Sequence, residues 1–205
     1  MAPTTRRLAA TAAVAALTLA GPATATPAHA NDITRERLAG ADRYATSVAI
    51  SKAGFPERAS TVFVASGENF PDALAGGAAA GAKSAPLLLT RAQALPEGVK
   101  AEIARLAPSS IVVLGGDAAV GAPVLDQLKA MSTVTVLAGV DRYETAAKVA
   151  AYAYPDGATA AYVASGVAFP DALSGASAAT RAKAPVLLTR PTTLSPATRE
   201  AAEAL

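Results

Sequence analysis

Residues 61–65, TVFVA, are a continuous run of β-branched and apolar side chains bounded by turn-forming positions, the pattern of a strand buried on both faces. The period then changes. Gly67 marks a turn, Pro71 stands where a first helical residue has no donor to lose, and Asp72 puts a negative charge in the first turn, so a helix is predicted through residue 82. Residues 86–90 read as the next strand, 96–106 as a helix with Val99, Ile103 and Leu106 on one face, 110–114 as a strand and 119–131 as a helix. Upstream, residues 37–39 form a short extended piece, and Asp42 is placed to cap a helix carrying Tyr44, Val48, Ala49 and Ala53, which Gly54, Phe55 and Pro56 end. Strands alternating with helices of this length predict an α/β fold, a three-layer sandwich around a mainly parallel sheet.

The pattern occurs twice. LAGADRYAT from Leu38, VASGENFPDALAG from Val64 and APLLLTR from Ala85 return as LAGVDRYET from Leu137, VASGVAFPDALSG from Val163 and APVLLTR from Ala184, all displaced by 99 residues. Solenoid repeats run about 20 to 50 residues, so a period twice that predicts two tandem modules rather than a solenoid. Residues 133–137 are the extended lead into the second. The module boundaries are expected at 31–135 and 136–205. Leu205 stands at the position of Leu106, so the second module is expected to be incomplete, with an uncovered sheet edge open to self-association.

Arg6 and Arg7, the apolar run 8–20 and the Ala28-His29-Ala30 site predict a secretory signal peptide over residues 1–30. The run is too short to span a membrane, and the arginine pair is only weakly twin-arginine-like, which leaves the export route open. Cleavage removes two of 18 basic residues and leaves 16 against 16 acidic ones. The pI near 9.0 thus belongs mostly to the leader, and a nucleic-acid partner, which calls for a basic domain, is not expected. The one histidine, His29, leaves with the leader, and the chain has no cysteine, so catalysis by His or Cys is excluded and the fold is expected to stand without disulfides.

GADRYAT at 40–46, ASGENFPDAL at 65–74, APLLLT at 85–90 and IVVLGG at 111–116, all but the last repeated, resemble the cell wall-binding repeat 2 family of Gram-positive surface and secreted proteins. The resemblance covers residues 37–205. It implies a Toprim-like α/β module, usually in three tandem copies, that binds the cell wall non-covalently through anionic polymers. The expected partner is therefore a wall anionic polymer or peptidoglycan, with no cofactor. Lytic activity of multidomain relatives is not expected to transfer, since the 205 residues are expected to leave no room for an effector domain.

Anionic polymers call for guanidinium groups, whose fork matches phosphate or carboxylate oxygens. Arg43 with Arg142, and Arg91 with Arg190, recur at the shared offset and are the candidate ligand-binding residues. Arg43 and Arg142 have a competing role as internal struts to Asp72 or Asp171, Arg91 and Arg190 as solvated charges at strand ends. Lys100 and Arg199 fit a solvated helix face. Tyr44 and Tyr143 fit either core or sugar stacking, with core the commoner role at helical spacing. Ser66, repeated as Ser165, lacks an activating base. Glu68 with Asp72 is the alternative glycosidase pair, but Glu68 becomes Val167. Gly115, Gly116 and Asp117 make a tight turn rather than a phosphate loop, and no ligand cluster for a metal is legible. The reading is an exported, non-catalytic wall-binding module. A wall-active hydrolase and a truncated, non-functional remnant are the alternatives.

Overall fold

In the computed structural model the described residues are 36–69 and 71–205. The signal peptide expected at 1–30 lies outside them, as does Phe70. Residues 37–205 form one compact unit. Its elements run α1 (Arg43–Gly54), β1 (Thr61–Ser66), α2 (Pro71–Ala82), β2 (Leu87–Thr90), α3 (Glu97–Leu106), β3 (Ser110–Leu114), α4 (Ala122–Lys129), β4 (Thr133–Leu137), α5 (Arg142–Ala153), β5 (Tyr162–Ser165), α6 (Phe169–Ala182), β6 (Val186–Thr189) and α7 (Pro196–Ala204).

The local signals act as the sequence indicates. Asp42 and Asp141 cap α1 and α5, the first accepting from Ala45 N at 2.8 Å and the second from Glu144 N at 2.9 Å. Pro71 opens α2, and Ala107 ends α3 in the left-handed region at φ 46°. Two boundaries differ. Helix α4 begins at Ala122 rather than 119, because Gly116 O closes a turn with Ala119 N and Val120 N, and Gly121 N is taken by Ala92 O at 2.8 Å. Residues 37–39 carry no strand ladder among the described residues, whereas their counterparts at the start of the second copy do.

All strand pairs are parallel, in a sheet ordered β2-β1-β3-β4 and a two-stranded sheet β5-β6. Strand β4, at the junction of the copies, pairs with β3 from Ser110↔Thr133 to Leu114↔Leu137 and completes the first sheet. Alternate side chains divide between two cores. Val62, Val64, Leu88, Ile111 and Val113 face α1, α3 and α4 through Val48, Val99, Ile103, Leu106, Val124 and Leu128. Phe63, Ala65, Val112 and Leu114 face the small residues of α2, and the same cluster continues into Ala146, Val149, Ala179, Val186 and Leu188 of the second copy. Sheet, helix and second copy thus share a core, the three-layer α/β arrangement expected.

Helix α2 achieves this by being thin. A Cβ on Gly76 would collide with Leu114 Cδ1, and one on Gly81 with Thr180 Cγ2 of α6. Among the described residues β5 pairs in the second sheet only with β6, and Val163 is 52% exposed.

One polar network is confined to the first copy. Glu102, 1% exposed, accepts from Ser51 Oγ at 2.6 Å and from Arg105 Nε and Nη2 at 2.8 and 2.7 Å. Arg105 also donates to the carbonyls of Phe55, Pro56 and Glu57 past the end of α1. Desolvation works to raise the proton affinity of Glu102, but the hydrogen bonds from Arg105 and Ser51 and the charges of Arg105 and Lys52 outweigh it and hold the carboxyl below its ordinary 4.5. The corresponding positions of the second copy are Ala150, Ala201 and Ala204. Arg105→Ala strands a buried carboxylate and is expected to cost about 3 kcal/mol in urea unfolding. The triple change of Ser51, Glu102 and Arg105 to alanine, which copies the second module, is expected to cost less than that single one. Because the folded-state pKa of Glu102 is lowered, its contribution is full above pH 4.5 and falls away as pH drops through the folded value. Arg105→Ala should flatten stability across that window.

Candidate anion-binding site

The carboxyl ends of parallel strands are where open α/β sheets gather ligands. At the end of β1, Ser66 is 1% exposed, and its hydroxyl oxygen accepts from the backbone N–H groups of Glu68 at 3.1 Å and Asn69 at 3.2 Å. Gly67 N donates to Thr90 O at 2.8 Å, zipping the loops after β1 and β2 together. The second copy repeats this, with Ser165 accepting from Val167 and Ala168 at 3.3 Å each and Gly166 N donating to Thr189 O at 2.8 Å. These serines organise a turn. Glu68 Oε2 accepts from Ala92 N at 3.1 Å and so latches the two loops. In the second copy both partners are gone together, since Val167 cannot accept and Pro191 has no N–H.

Arg91 and Arg190 lie on these loops, and Arg43 and Arg142 reach them from the first positions of α1 and α5. The strut to Asp72 or Asp171 does not form: Arg43 Nη1 donates to Gly67 O at 2.5 Å and Arg142 Nη1 to Gly166 O at 2.6 Å, tying the start of α1 or α5 to the loop after the strand. The guanidinium of Arg91 lies 4.8 Å from the ring centroid of Tyr44, and that of Arg190 lies 5.0 Å from Tyr143. The tyrosines are 6% and 5% exposed, so their assignment to the core holds, but each also carries an arginine on its ring. The ring edge abuts the loop glycine: a Cβ on Gly67 would stand 2.6 Å from Tyr44 Cε1, and one on Gly166 2.5 Å from Tyr143 Cε1. Each copy therefore gathers Arg, Tyr, Gly and Arg into one cluster, on which all four guanidinium groups are exposed. Ion pairs among the described residues join Arg105 to Glu102, Lys129 to Asp126 and Lys148 to Glu144, and none of them neutralises the four clustered arginines. Lys100 and Arg199 are solvated, as their helix face suggests. The stacking was not read from the sequence, although Tyr44, Gly67 and Arg91 all recurring at one offset was the signal for it.

Asp72 sits elsewhere. Burial pushes its carboxyl above the ordinary value of 3.8, and the charge of Arg142 partly offsets this. It lines a cleft of about 400 Å³ between the β1, β3 and β4 loops, with Asn69, Gly116, Asp117, Asp141 and Arg142. Asp141 is committed to capping α5. Among the described residues no group of three His, Cys, Asp or Glu side chains could hold a metal ion, and no helix is long and apolar enough to cross a membrane.

A duplicated α/β scaffold whose strand-end serines and glutamate are engaged in loop structure, and in which Arg43, Arg91, Arg142 and Arg190 form no ion pair among the described residues, has the features of a non-covalent binding module. The chain belongs to the cell wall binding domain 2 (CWB2) family, whose profile matches residues 37–125 and 136–204. It is 34% identical over 116 residues to the N-acetylmuramoyl-L-alanine amidase LytC of Bacillus subtilis (56% of this chain, 23% of the relative), and 30% identical over 115 residues to the amidase enhancer of the same organism (56% and 16%). Among solved structures, Cwp6 from Clostridium difficile superposes with a TM-score of 0.75 at 31% identity over 84% of this chain, and Cwp8 with 0.74 at 29% over 80%. The match spans 29% of each of those two proteins, so this chain is similar to a part of each.

Gly67→Ala and Gly166→Ala each drive a methyl group into a buried tyrosine. Each is expected to lower stability by about 1 to 3 kcal/mol, read as a shift in the urea midpoint, while Gly54→Ala, with open space around it, leaves the midpoint in place or raises it.

Proposed function

We propose that the chain is a secreted, non-catalytic module of a Gram-positive wall that binds anionic wall polymers through Arg43, Arg91, Arg142 and Arg190. The family supplies the coarser statement, binding to the cell wall. The observation that supports the finer one is the pair of matched clusters in which four exposed guanidinium groups form no ion pair among the described residues. Exposed, unpaired guanidinium groups fixed by their neighbours suit phosphate or carboxylate oxygens at low ordering cost. In this reading the leader is cleaved near Ala30, the modules divide at 135/136, no cofactor is required, and the open flank of β5 is where a second copy of the chain would pair.

Binding without chemistry is favoured by the roles of the side chains at the strand ends. Ser66 accepts two backbone N–H groups and Glu68 holds a loop, so neither is poised as nucleophile or acid. The likeness to an amidase favours a second reading, a wall hydrolase, over the 23% of that protein which is matched.

Purified protein is expected to co-sediment with Gram-positive walls and to be released near 1 M salt, where the screening length falls to about 3 Å. Walls stripped of their anionic polymer should retain little of it. Equal retention on stripped walls overturns the anionic ligand. Soluble fragments released in a wall turbidity assay overturn the non-catalytic assignment.

A further inference from the structure

The two modules have diverged in some of the polar ties that hold them together. Ser51, Glu102 and Arg105 are alanines at the matching positions, and the Glu68 to Ala92 latch becomes Val167 and Pro191. Asp72 is part-buried, whereas Asp171 is exposed. The aspartate caps and the serine turns are kept in both copies, and so, closely, is one group that does not serve a local turn or cap. The arginine-to-ring separations are 4.8 and 5.0 Å, the arginine-to-carbonyl bonds are 2.5 and 2.6 Å, and a Cβ added to the loop glycine would stand 2.6 and 2.5 Å from the tyrosine ring.

The physics of the group says what it does. A free arginine at a strand end samples many rotamers, and ordering it on a ligand costs about 0.5 to 1.5 kcal/mol. A buried tyrosine ring cannot move, and its face attracts a guanidinium without neutralising it. A carboxylate would hold the arginine equally still but would cancel the charge that an anion needs. Tyr44 and Tyr143 thus fix Arg91 and Arg190 while leaving their charge available, and Gly67 and Gly166 let the ring close against the loop that Arg43 and Arg142 anchor.

The geometry points to Tyr44 and Tyr143 as positioning residues of two equivalent anion receptors, each a ring that presents one arginine (Arg91 or Arg190) beside a loop tied down by another (Arg43 or Arg142). The ligand each takes is a phosphate or carboxylate group of a polyanion. The inference rests on the anionic-polymer reading above and adds that the ring, and not charge alone, sets affinity.

The test uses long-chain inorganic polyphosphate as probe, with binding followed by calorimetry at several salt concentrations and by NMR of the arginine Nε–H and δ-CH₂ signals. In the parent protein the signals of Arg91 and Arg190 should carry ring-current shifts and respond to polyphosphate. Tyr44→Phe with Tyr143→Phe keeps the rings and should bind as the parent does. Tyr44→Leu with Tyr143→Leu should lose the ring-current shifts and bind roughly three- to ten-fold more weakly per receptor. Because those tyrosines are buried, the same comparison is made with Arg91→Lys and Arg190→Lys, exposed changes that retain the charge and lose the planar stack. They too should weaken binding by a similar factor while the unfolding midpoint stays put. Undiminished affinity in the lysine pair, or in a folded leucine pair, overturns the positioning role and leaves the polymer reading standing. A parent protein that binds neither polyphosphate nor walls overturns both.

Discussion

Two parallel sheets can share one apolar core only if the helix between them is thin enough for both to reach it. Helix α2 meets that constraint with Ala75, Gly76, Ala78 and Ala79, and with Gly81 against Thr180 of α6. Larger side chains would bury more surface locally but would hold the copies apart. The cost is helix propensity, up to about 1 kcal/mol for each glycine, offset by burying both faces of the helix. From that contact follows the rest of the arrangement: β4 closes the first sheet, and α5 leaves it already aimed into the second copy.

A shared core frees the modules to differ at their periphery. The first holds α1 to α3 with a buried glutamate and a forked arginine, a network whose full satisfaction makes the loss of any one member costly. The second replaces all three partners with alanine at once, the route that avoids a stranded charge. The coupled loss of Glu68 and of the N–H at position 92 in the second copy follows the same rule. The arginine, tyrosine and glycine cluster at the strand ends survives in both copies, as the aspartate caps and serine turns do, and in it backbone carbonyls and ring faces stand in for carboxylates. That choice leaves the guanidinium charge uncancelled at the end of the sheet where ligands collect.

Much of the fold was legible because its signals are local. Asp42 and Asp141 cap helices, Pro71 opens one, and the apolar runs at 61–65 and 110–114 became strands, since each depends on a few neighbouring residues. The start of α4 was placed too early because Gly116 O closes a turn with Ala119 and Val120 and the N–H of Gly121 is taken by Ala92, far away in sequence. The arginines were legible as a repeated charge, but their partners were not. A carbonyl carries no mark in the sequence, so Arg43 and Arg142 read as well as ion pairs to aspartate as they do as ties to Gly67 and Gly166. Tyr44 was legible as core by its spacing with Val48, while the arginine on its ring comes from a strand more than forty residues away.

By itself the sequence determined the duplication, the α/β alternation and the lack of histidine and cysteine chemistry past residue 30, because composition and period do not depend on how distant segments meet. Tertiary structure decided which groups meet: that β4 completes the first sheet, that Asp72 shares a cleft with Arg142 without an ion pair to it, and that Arg91 and Arg190 rest on buried tyrosines. The reason is one of range. Hydrophobic period is written in consecutive residues, whereas a hydrogen bond or a ring contact is chosen by whichever group the packed core delivers within a few ångströms.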